Sequence, residues 1–368
     1  MPKLNLAVFF GGRSGEHEVS LMSARSVLGA LDKDKYQVFQ VGITHDGDWL
    51  TGEDAIGAFE RGDTRGLDAA TLLPEPGLRG LHVRGEGSSL SKIADLDVAV
   101  PILHGPFGED GTIQGLFEMA ELAYVGAGVL ASAVAMDKGL FKWLMRAHRI
   151  RVLDFAIIDS AKLETDIDVT LDEAESVAGY PLFVKPTNMG SSVGVSKVRS
   201  RSDLVEGLME AAQYDRRILV ERGIEAREIE VSVLGNEHPE ASVPGEVIPS
   251  DEFYSYRAKY IDDRSELHIP APIDFETTEE ARRIAVEAYK AIDGAGMARV
   301  DMLLEKDTED LYLNEINTIP GFTRISMYPK LWEASGLPYP ELMDRLVDLA
   351  QSRKAQKDGL VRTYEGAT

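Results

Sequence analysis

The residues best suited to chemistry are two carboxylates and an amide in the last third of the chain: Asp301, Glu315 and Asn317. The stretch from Leu311 to Ile316, Leu-Tyr-Leu-Asn-Glu-Ile, reads as a buried strand. Alternation puts Glu315 and Asn317 on one face, because side chains i and i+2 of a strand point the same way. A second apolar segment, 297–300, ends at Asp301 and would pair beside it. Three hard oxygen donors without sulfur suit Mg²⁺, which takes one or two carboxylates and fills its other positions with water and substrate phosphates. The competing reading is a strand-end Glu and Asn solvated by water, and for an isolated E-x-N that reading is the stronger. Arg299 shares the face of Asp301. Beside carboxylates it is an ion pair; beside a transferred phosphoryl group it stabilises developing negative charge.

Three further features bear on phosphate and nucleotide. Gly190-Ser191-Ser192-Val193-Gly194 is a turn whose glycines allow close backbone approach and whose N–H and hydroxyl groups can wrap phosphates. Most such turns are simple hairpins, and no Walker G-x-x-x-x-G-K-[ST] occurs. Lys185 ends an apolar strand before Pro186, either snorkelling to solvent or neutralising an anion. Lys138, at a helix start, carries the same signal against a solvated helix-end lysine. Glu221-Arg222-Gly223-Ile224 ends a strand, where backbone groups could read an adenine edge with Glu228 near a ribose; an ordinary polar linker is the alternative that spacing favours.

The elements that must hold these residues alternate strand and helix in the first third. Strands read at 4–10, 36–43 and 97–103, with helices at 19–31 and 113–123, and this alternation implies a parallel sheet covered on both faces. The Gly-, Asp- and Arg-rich segment 46–91 reads as a peripheral insertion. Helices follow at 138–149, 171–178 and 201–213, with strands at 182–186, 218–221 and 227–234. A helix from 338 to 352 precedes a polar tail, 353–368, read as disordered.

With 368 residues and 44% hydrophobic content the chain can bury two or three cores. Its net charge of -23 excludes a broad affinity for nucleic acid or anionic membrane, though not for a nucleotide. Absence of cysteine excludes disulfides, thiolate nucleophiles and zinc–thiolate sites. Residues 1–10 read as a first strand, not a signal segment, and no apolar run reaches membrane-spanning length, so the expectation is a soluble, cytoplasmic protein.

Together these motifs resemble the ATP-grasp superfamily, and within it the D-alanine–D-alanine ligase family. The segments 11–20 (GGRSGEHEVS) and 104–111 (HGPFGEDG) are similar to its two N-terminal signatures. Lys185-Pro186 with 190–194, the loop Tyr254-x-Tyr256-x-Ala258-Lys259-Tyr260, and Asn314-Glu315-Ile316-Asn317-Thr318 with Pro320-Gly321-Phe322-Thr323 follow in the family's order. The resemblance spans nearly the whole chain. It implies a fold of both α/β and α+β character: an N-terminal Rossmann-like parallel-sheet domain (1–130), then a two-subdomain ATP-grasp fold (131–221 and 222–368) with a lid loop at 250–266.

The resemblance also implies roles. Glu16 would bind the ammonium of a first D-alanine, though a first-turn acid favoured by the helix dipole explains it too. His104 would lie near that substrate's carboxylate, or merely cap a strand end. Lys138 and Lys185 would contact ATP phosphates, with Ser191 and Ser192 in the loop over them and Ser191 also fixing the loop over the first substrate. Glu221, Arg222, Ile224 and Glu228 would meet adenine and ribose. Asp301, Glu315 and Asn317 would hold two Mg²⁺ ions, for which Mn²⁺ could substitute. Arg299 and the Gly321 N–H would form an oxyanion site, and Ser326 with the Met327 N–H would receive a second substrate's carboxylate.

The implied reaction makes a D-alanyl phosphate from D-alanine and ATP, which a second D-alanine then attacks, giving D-alanyl-D-alanine for peptidoglycan precursors. Acyl phosphates hydrolyse, so water must be kept out; the aromatic-rich segment 250–266 reads as the lid that does so, or as a mobile surface loop. Lys259 would assist at the ATP and substrate sites, and Tyr260 goes with dipeptide formation rather than the depsipeptide D-alanyl-D-lactate; a D-alanine–D-lactate or D-alanine–D-serine ligase of the same family is the alternative. The family's habit implies a homodimer. His17 departs from the pattern, where arginine is common. The rivals are another ATP-grasp ligase, a ligand-binding relative without activity, and a dinucleotide-binding oxidoreductase, for which 11–16 lacks G-x-G-x-x-G.

Overall fold

The computed structural model describes residues 2–85, 87, 89–248 and 266–361, which form three sheets. The first contains β1 (Leu4–Gly11), β2 (Tyr36–Ile43), β3 (Trp49–Thr51), β4 (Asp68–Leu72), β5 (Gly80–Arg84), β6 (Leu90–Asp95), β7 (Val98–Pro101) and β8 (Ala123–Tyr124). Their order is β6-β5-β4-β3-β2-β1-β7-β8. The expected parallel sheet holds only for β2-β1-β7-β8; from β2 outward every pairing is antiparallel. The segment 46–91, read as a peripheral insertion, supplies these outer strands and so lies at the sheet's edge as an antiparallel extension. A parallel return needs a crossover of a dozen or more residues, and the short link from β5 to β6 allows only a hairpin.

Strand β1 is apolar throughout because both its faces are covered. Leu6, Val8 and Phe10 pack beneath α1 (His17–Ala30) and the C-terminal helix, while Ala7 and Phe9 meet Phe117 on the other side. Phe117 belongs to the helix Thr112–Met119, which is α3, following α2 (Ala55–Glu60). Then come α4 (Val129–Met136) and α5 (Lys138–Ala147).

The second sheet is antiparallel, ordered β11-β10-β12-β9: β9 (Phe155–Asp159), β10 (Leu182–Pro186), β11 (Ser196–Val198) and β12 (Arg217–Arg222). Helices α6 (Lys162–Thr165), α7 (Ile167–Glu175) and α8 (Arg201–Ala211) accompany it, and Leu171, Leu204 and Leu208 fill its core with Val184 and Val220.

The third sheet comprises β13 (Ala226–Leu234), β14 (Glu240–Ala241), β15 (Gly245–Ile248), β16 (Glu266–His268), β17 (Met297–Glu305) and β18 (Leu311–Asn317). Helix α9 (Phe275–Ala291) covers its back with Ala281, Ile284, Ala285 and Ala288. Along β17, Ala298, Val300, Met302 and Leu304 enter that core, so Arg299, Asp301 and Leu303 face the other way, toward the second sheet.

Strand β18 does not alternate simply. Leu311 and Leu313 are buried, but the next buried residue is Ile316. The register explains the slip: Asp301 pairs with Glu315 while Met302 pairs with Leu313, leaving Asn314 as the extra residue of a β-bulge. In uninterrupted alternation Glu315 would follow Leu313 into the apolar core. The bulge turns it outward beside Asp301.

Helices α10 (Met327–Ala334) and α11 (Tyr339–Asp358) close the chain. Leu342, Leu346 and Val347 return to the first sheet's core. The polar tail read from 353 onward is helical as far as Asp358, since Arg353 donates to the Gly126 carbonyl at 2.6 Å and Lys357 reaches Glu118 at 2.5 Å. Residues 362–368 lie outside the described residues. Among the described residues no helix is long and apolar enough to cross a membrane.

Candidate active site

A cleft of about 670 Å³ separates the second and third sheets. Lys185 on β10 and Glu221 and Arg222 on β12 line one wall; Glu228 on β13 and Asp301 on β17 line the other, and Ile224 lies in the link between β12 and β13. Ser191 and Ser192 overhang it from the turn between β10 and β11, both with positive φ (50° and 60°), a region non-glycine residues seldom occupy.

Glu221 sits at the base of this wall with its side chain 1% exposed. Its two oxygens are divided between two ammonium groups: Oε1 is ion-paired with Lys142, and Oε2 accepts from Lys185 at 2.8 Å. Burial opposes the charge, but the two lysines outweigh it and hold the carboxyl down at about 2. Burial likewise lowers Lys142, whereas for Lys185 the attraction of Glu221 overcomes burial and raises it.

Opposite, β17 and β18 bring together the oxygen donors singled out by spacing. Asp301 and Glu315 are register partners, and the Asn317 amide donates to Asp301 Oδ2 at 3.0 Å, leaving its own oxygen for a ligand. Arg299 donates to both oxygens of Asp301, at 2.7 and 2.6 Å, and lies 3.0 Å from Glu230. Lys138 stands 3.5 Å from Glu315 and donates to the Met189 carbonyl at 2.7 Å, so it is not the solvated helix-end lysine of the simpler reading. Two carboxylates and an amide oxygen, with cations balancing them, form a donor set that fits a hard divalent cation.

A second, smaller cavity adjoins the cleft, lined by Glu16, His104, Arg299 and Gly321 among others. Glu16 holds the N-cap position of α1, but its side chain makes no cap bond; instead it accepts from the Ser191 hydroxyl. A Cβ at Gly105 or Gly190 would lie 2.6 or 2.8 Å from Glu16 Oε2, so glycine at both is what lets the two loops close on this carboxylate. His104 is tied on both sides: its Nδ1–H donates to the Ile319 carbonyl and its Nε2 accepts from Ser23, each at 3.1 Å. Burial lowers its pKa, which favours the neutral ring this arrangement needs. His104 thus lines the cavity while anchoring the 319–321 turn.

His17 donates from Nδ1 to the Gly12 carbonyl at 2.9 Å and stacks on His45. Ser326 and Met327 begin α10; Ser326 Oγ accepts from the Thr323 N–H at 3.0 Å, and neither residue lines the small cavity. The Arg222 N–H is already given to the Asp154 carbonyl at 2.9 Å, so an adenine contact there would fall to its carbonyl. Lys259, Tyr260 and the lid segment up to residue 265 lie outside the described residues.

Two family models match this chain: "D-ala D-ala ligase N-terminus" over residues 5–127 and "D-ala D-ala ligase C-terminus" over 144–348. The chain belongs to the D-alanine–D-alanine ligase family. A D-alanine–D-alanine ligase of Thermoanaerobacter sp. strain X514 is 50% identical over 97% of this chain and 99% of its own. That of Heliobacterium modesticaldum is 49% identical over 97% of each. Among solved structures, the D-alanine–D-alanine ligase of Coxiella burnetii superposes with a TM-score of 0.82 at 35% identity, covering 99% of this chain and 98% of that one. The D-Ala:D-Ser ligase VanG of Enterococcus faecalis gives 0.84 at 32% identity, covering 95% and 100%. The ATP-grasp fold of the family is therefore the fold of this chain.

Two residues of this ligase-family site escape a reading of spacing. Lys142 lies inside an amphipathic helix, where a lysine ordinarily signals the solvent face. Glu109 accepts from the Gly105 N–H at 2.7 Å and the Ile319 N–H at 3.3 Å, and desolvation with the charge of Glu16 pushes it up to about 8. The motif at 104–111 draws the eye to this loop, but nothing local marks Glu109 as facing a second carboxylate.

Proposed function

We propose that this protein joins two D-alanine molecules, consuming ATP and releasing ADP and phosphate, and so supplies D-alanyl-D-alanine for peptidoglycan precursors. One observation carries the reading. The nucleotide cleft and the small cavity share a border made of Lys138, Met189, Gly190, Ser191 and Glu315. A carboxylate held in the cavity therefore meets the terminal phosphate of a nucleotide lying in the cleft.

Glu16 binds the first D-alanine through its ammonium, with Ser191 fixing the carboxylate's position. The substrate carboxylate attacks the γ-phosphorus and ADP departs, leaving D-alanyl phosphate. Lys138 and Lys185 balance the phosphate oxygens, with Ser192 in the covering loop. Asp301, Glu315 and Asn317 would hold two Mg²⁺ ions, or Mn²⁺ in their place, which when bound neutralise phosphate charge. The second amine, having lost a proton, then adds to the acyl carbon. Arg299 and the Gly321 N–H take the oxyanion, phosphate leaves, and the peptide bond remains. Ser326 and the Met327 N–H receive the second carboxylate at a helix N-terminus, an arrangement suited to an anion. Glu221, Arg222, Ile224 and Glu228 hold adenine and ribose, Lys259 and Tyr260 complete the closed site, and the working form is a homodimer.

The test is phosphate release from Mg-ATP with D-alanine, with L-alanine, and with D-alanine plus D-lactate or D-serine. Release that needs D-alanine alone, with the dipeptide recovered, is the expected result. Release without any D-alanine dependence would overturn it. The likeness to a D-Ala:D-Ser ligase supports a second reading, in which D-serine is the preferred second substrate. A Tyr260→Phe variant that leaves the amine-to-hydroxyl preference unchanged would remove Tyr260 from the specificity role.

A further inference from the structure

Helix α5 presents two lysines one turn apart, Lys138 and Lys142, and the reaction above uses only the first. Lys142 is 1% exposed and shares the buried side of α5 with Phe141 and Met145. A methionine could fill the same volume without the cost of removing an ammonium from water, and buried ion pairs are often no more stabilising than apolar residues of similar size. Fold stability alone therefore gives little reason for a lysine there.

Its partner supplies a reason. Glu221 Oε1 is paired with Lys142 and Oε2 with Lys185; Lys185, at 15% exposure against 1% for the other two, is the most open of the three, and it lines the cleft beside Glu221 while Lys142 lies behind them. The group carries two positive charges and one negative. We propose that Lys142 is a positioning residue for the nucleotide: it occupies Glu221, so that Lys185 keeps a net positive charge directed at the phosphates. This rests on the nucleotide reading of the cleft. Without Lys142 the whole charge of Glu221 would fall on Lys185, cancelling it and drawing it toward β12.

The test compares Lys142→Met with the unaltered protein, following KM for ATP, KM for D-alanine and calorimetric affinity for Mg-ADP. The expected result is about a tenfold or greater rise in KM for ATP with a matching loss of Mg-ADP affinity, while KM for D-alanine stays within about twofold. An unchanged KM for ATP, or equal rises for both substrates, would overturn the proposal, the latter because it marks a general packing role. Lys142→Gln, which keeps a polar contact without the charge, serves if the methionine variant does not fold. A Lys142→Met/Glu221→Gln double variant supplies the decisive arm. If Lys142 acts through Glu221, the double variant binds Mg-ADP no more weakly than Glu221→Gln alone; additive losses overturn it. If the unaltered protein itself fails to bind Mg-ADP, the nucleotide reading fails first and separately.

Discussion

The cleft has two walls, each joining carboxylates to cations, and they use the same chemistry in opposite ways. Behind the β10–β12 wall, Glu221 of β12 and Lys142 of α5 are each 1% exposed, locked together beneath the surface. On the β17–β18 wall, Asp301 and Glu315 are 14% and 22% exposed, and the Arg299 and Lys138 side chains beside them 13% and 16%. In the first set the Lys142–Glu221 pair is shielded from water. The second opens onto the space a ligand would occupy. Burial, more than residue type or distance, separates a charge pair that fixes a shape from one that awaits a substrate.

The sharpest way to break this contrast is Glu221→Ala, which leaves the buried Lys142 ammonium without its paired carboxylate and facing Lys185. Removing one partner of a buried pair typically costs about 3–5 kcal/mol, and the variant should unfold at markedly lower urea concentration. A loss below about 1 kcal/mol would mean that Glu221 is no more embedded than a surface carboxylate. Glu315→Gln should behave in the reverse sense. Its fold should survive with little change, while turnover in the phosphate-release assay falls by roughly 10²–10³, the scale seen when a group stabilising transition-state charge is lost. If instead stability collapses and residual turnover is high, the two walls have been assigned the wrong way round.

The same contrast shows what sequence could reveal. Asp301, Glu315 and Asn317 were legible because a period of two is local, and the register bears out their convergence. The bulge at Asn314 was not, since a bulge is fixed by the partner strand and β18 alone reads as even alternation. Lys142 was hidden for a related reason. A helix pattern tells which residues share a face but not what lies opposite, and Glu221 arrives from a strand far along the chain. The first sheet's antiparallel extension escaped because its strands are short and polar. Ser191 and Glu16, 175 residues apart, meet only once all three sheets are assembled, and it was the family resemblance that placed them together.

Glu109 extends the contrast to the small cavity, where a carboxyl is shielded and, among the described residues, shares no ion pair with a cation, although the Arg299 charge reaches it. Its pKa rises from 4.5 in an open chain to about 8 in the fold, so between those values the native state holds a proton that the unfolded chain has released. Stability must then fall as pH rises through that window, and the contribution is fully present only below it. Glu109→Gln removes the titration but keeps acceptance from only one of the Gly105 and Ile319 N–H groups, because the two bonds fall on different oxygens of the carboxyl. Its melting temperature relative to the parent should therefore rise between about pH 5 and about pH 9, whatever fixed offset the lost bond imposes. Parallel curves across that range would show that Glu109 is ionised throughout.

The smallest effect belongs to Ser191→Ala. The hydroxyl donates to Glu16, a charge-assisted bond between a strained turn and the start of α1. Its loss removes one hydrogen bond to a charged group, on the order of 1.5–3 kcal/mol when fully formed and less where water can take its place. Because the bond fixes Glu16 rather than creating its charge, the loss should surface as a rise of about tenfold in KM for the first D-alanine. KM for ATP should move much less, since Lys138 and Lys185 remain. A rise confined to KM for ATP would place Ser191 on the nucleotide side of the shared border, and the carboxylate of Glu16 would then need another means of orientation.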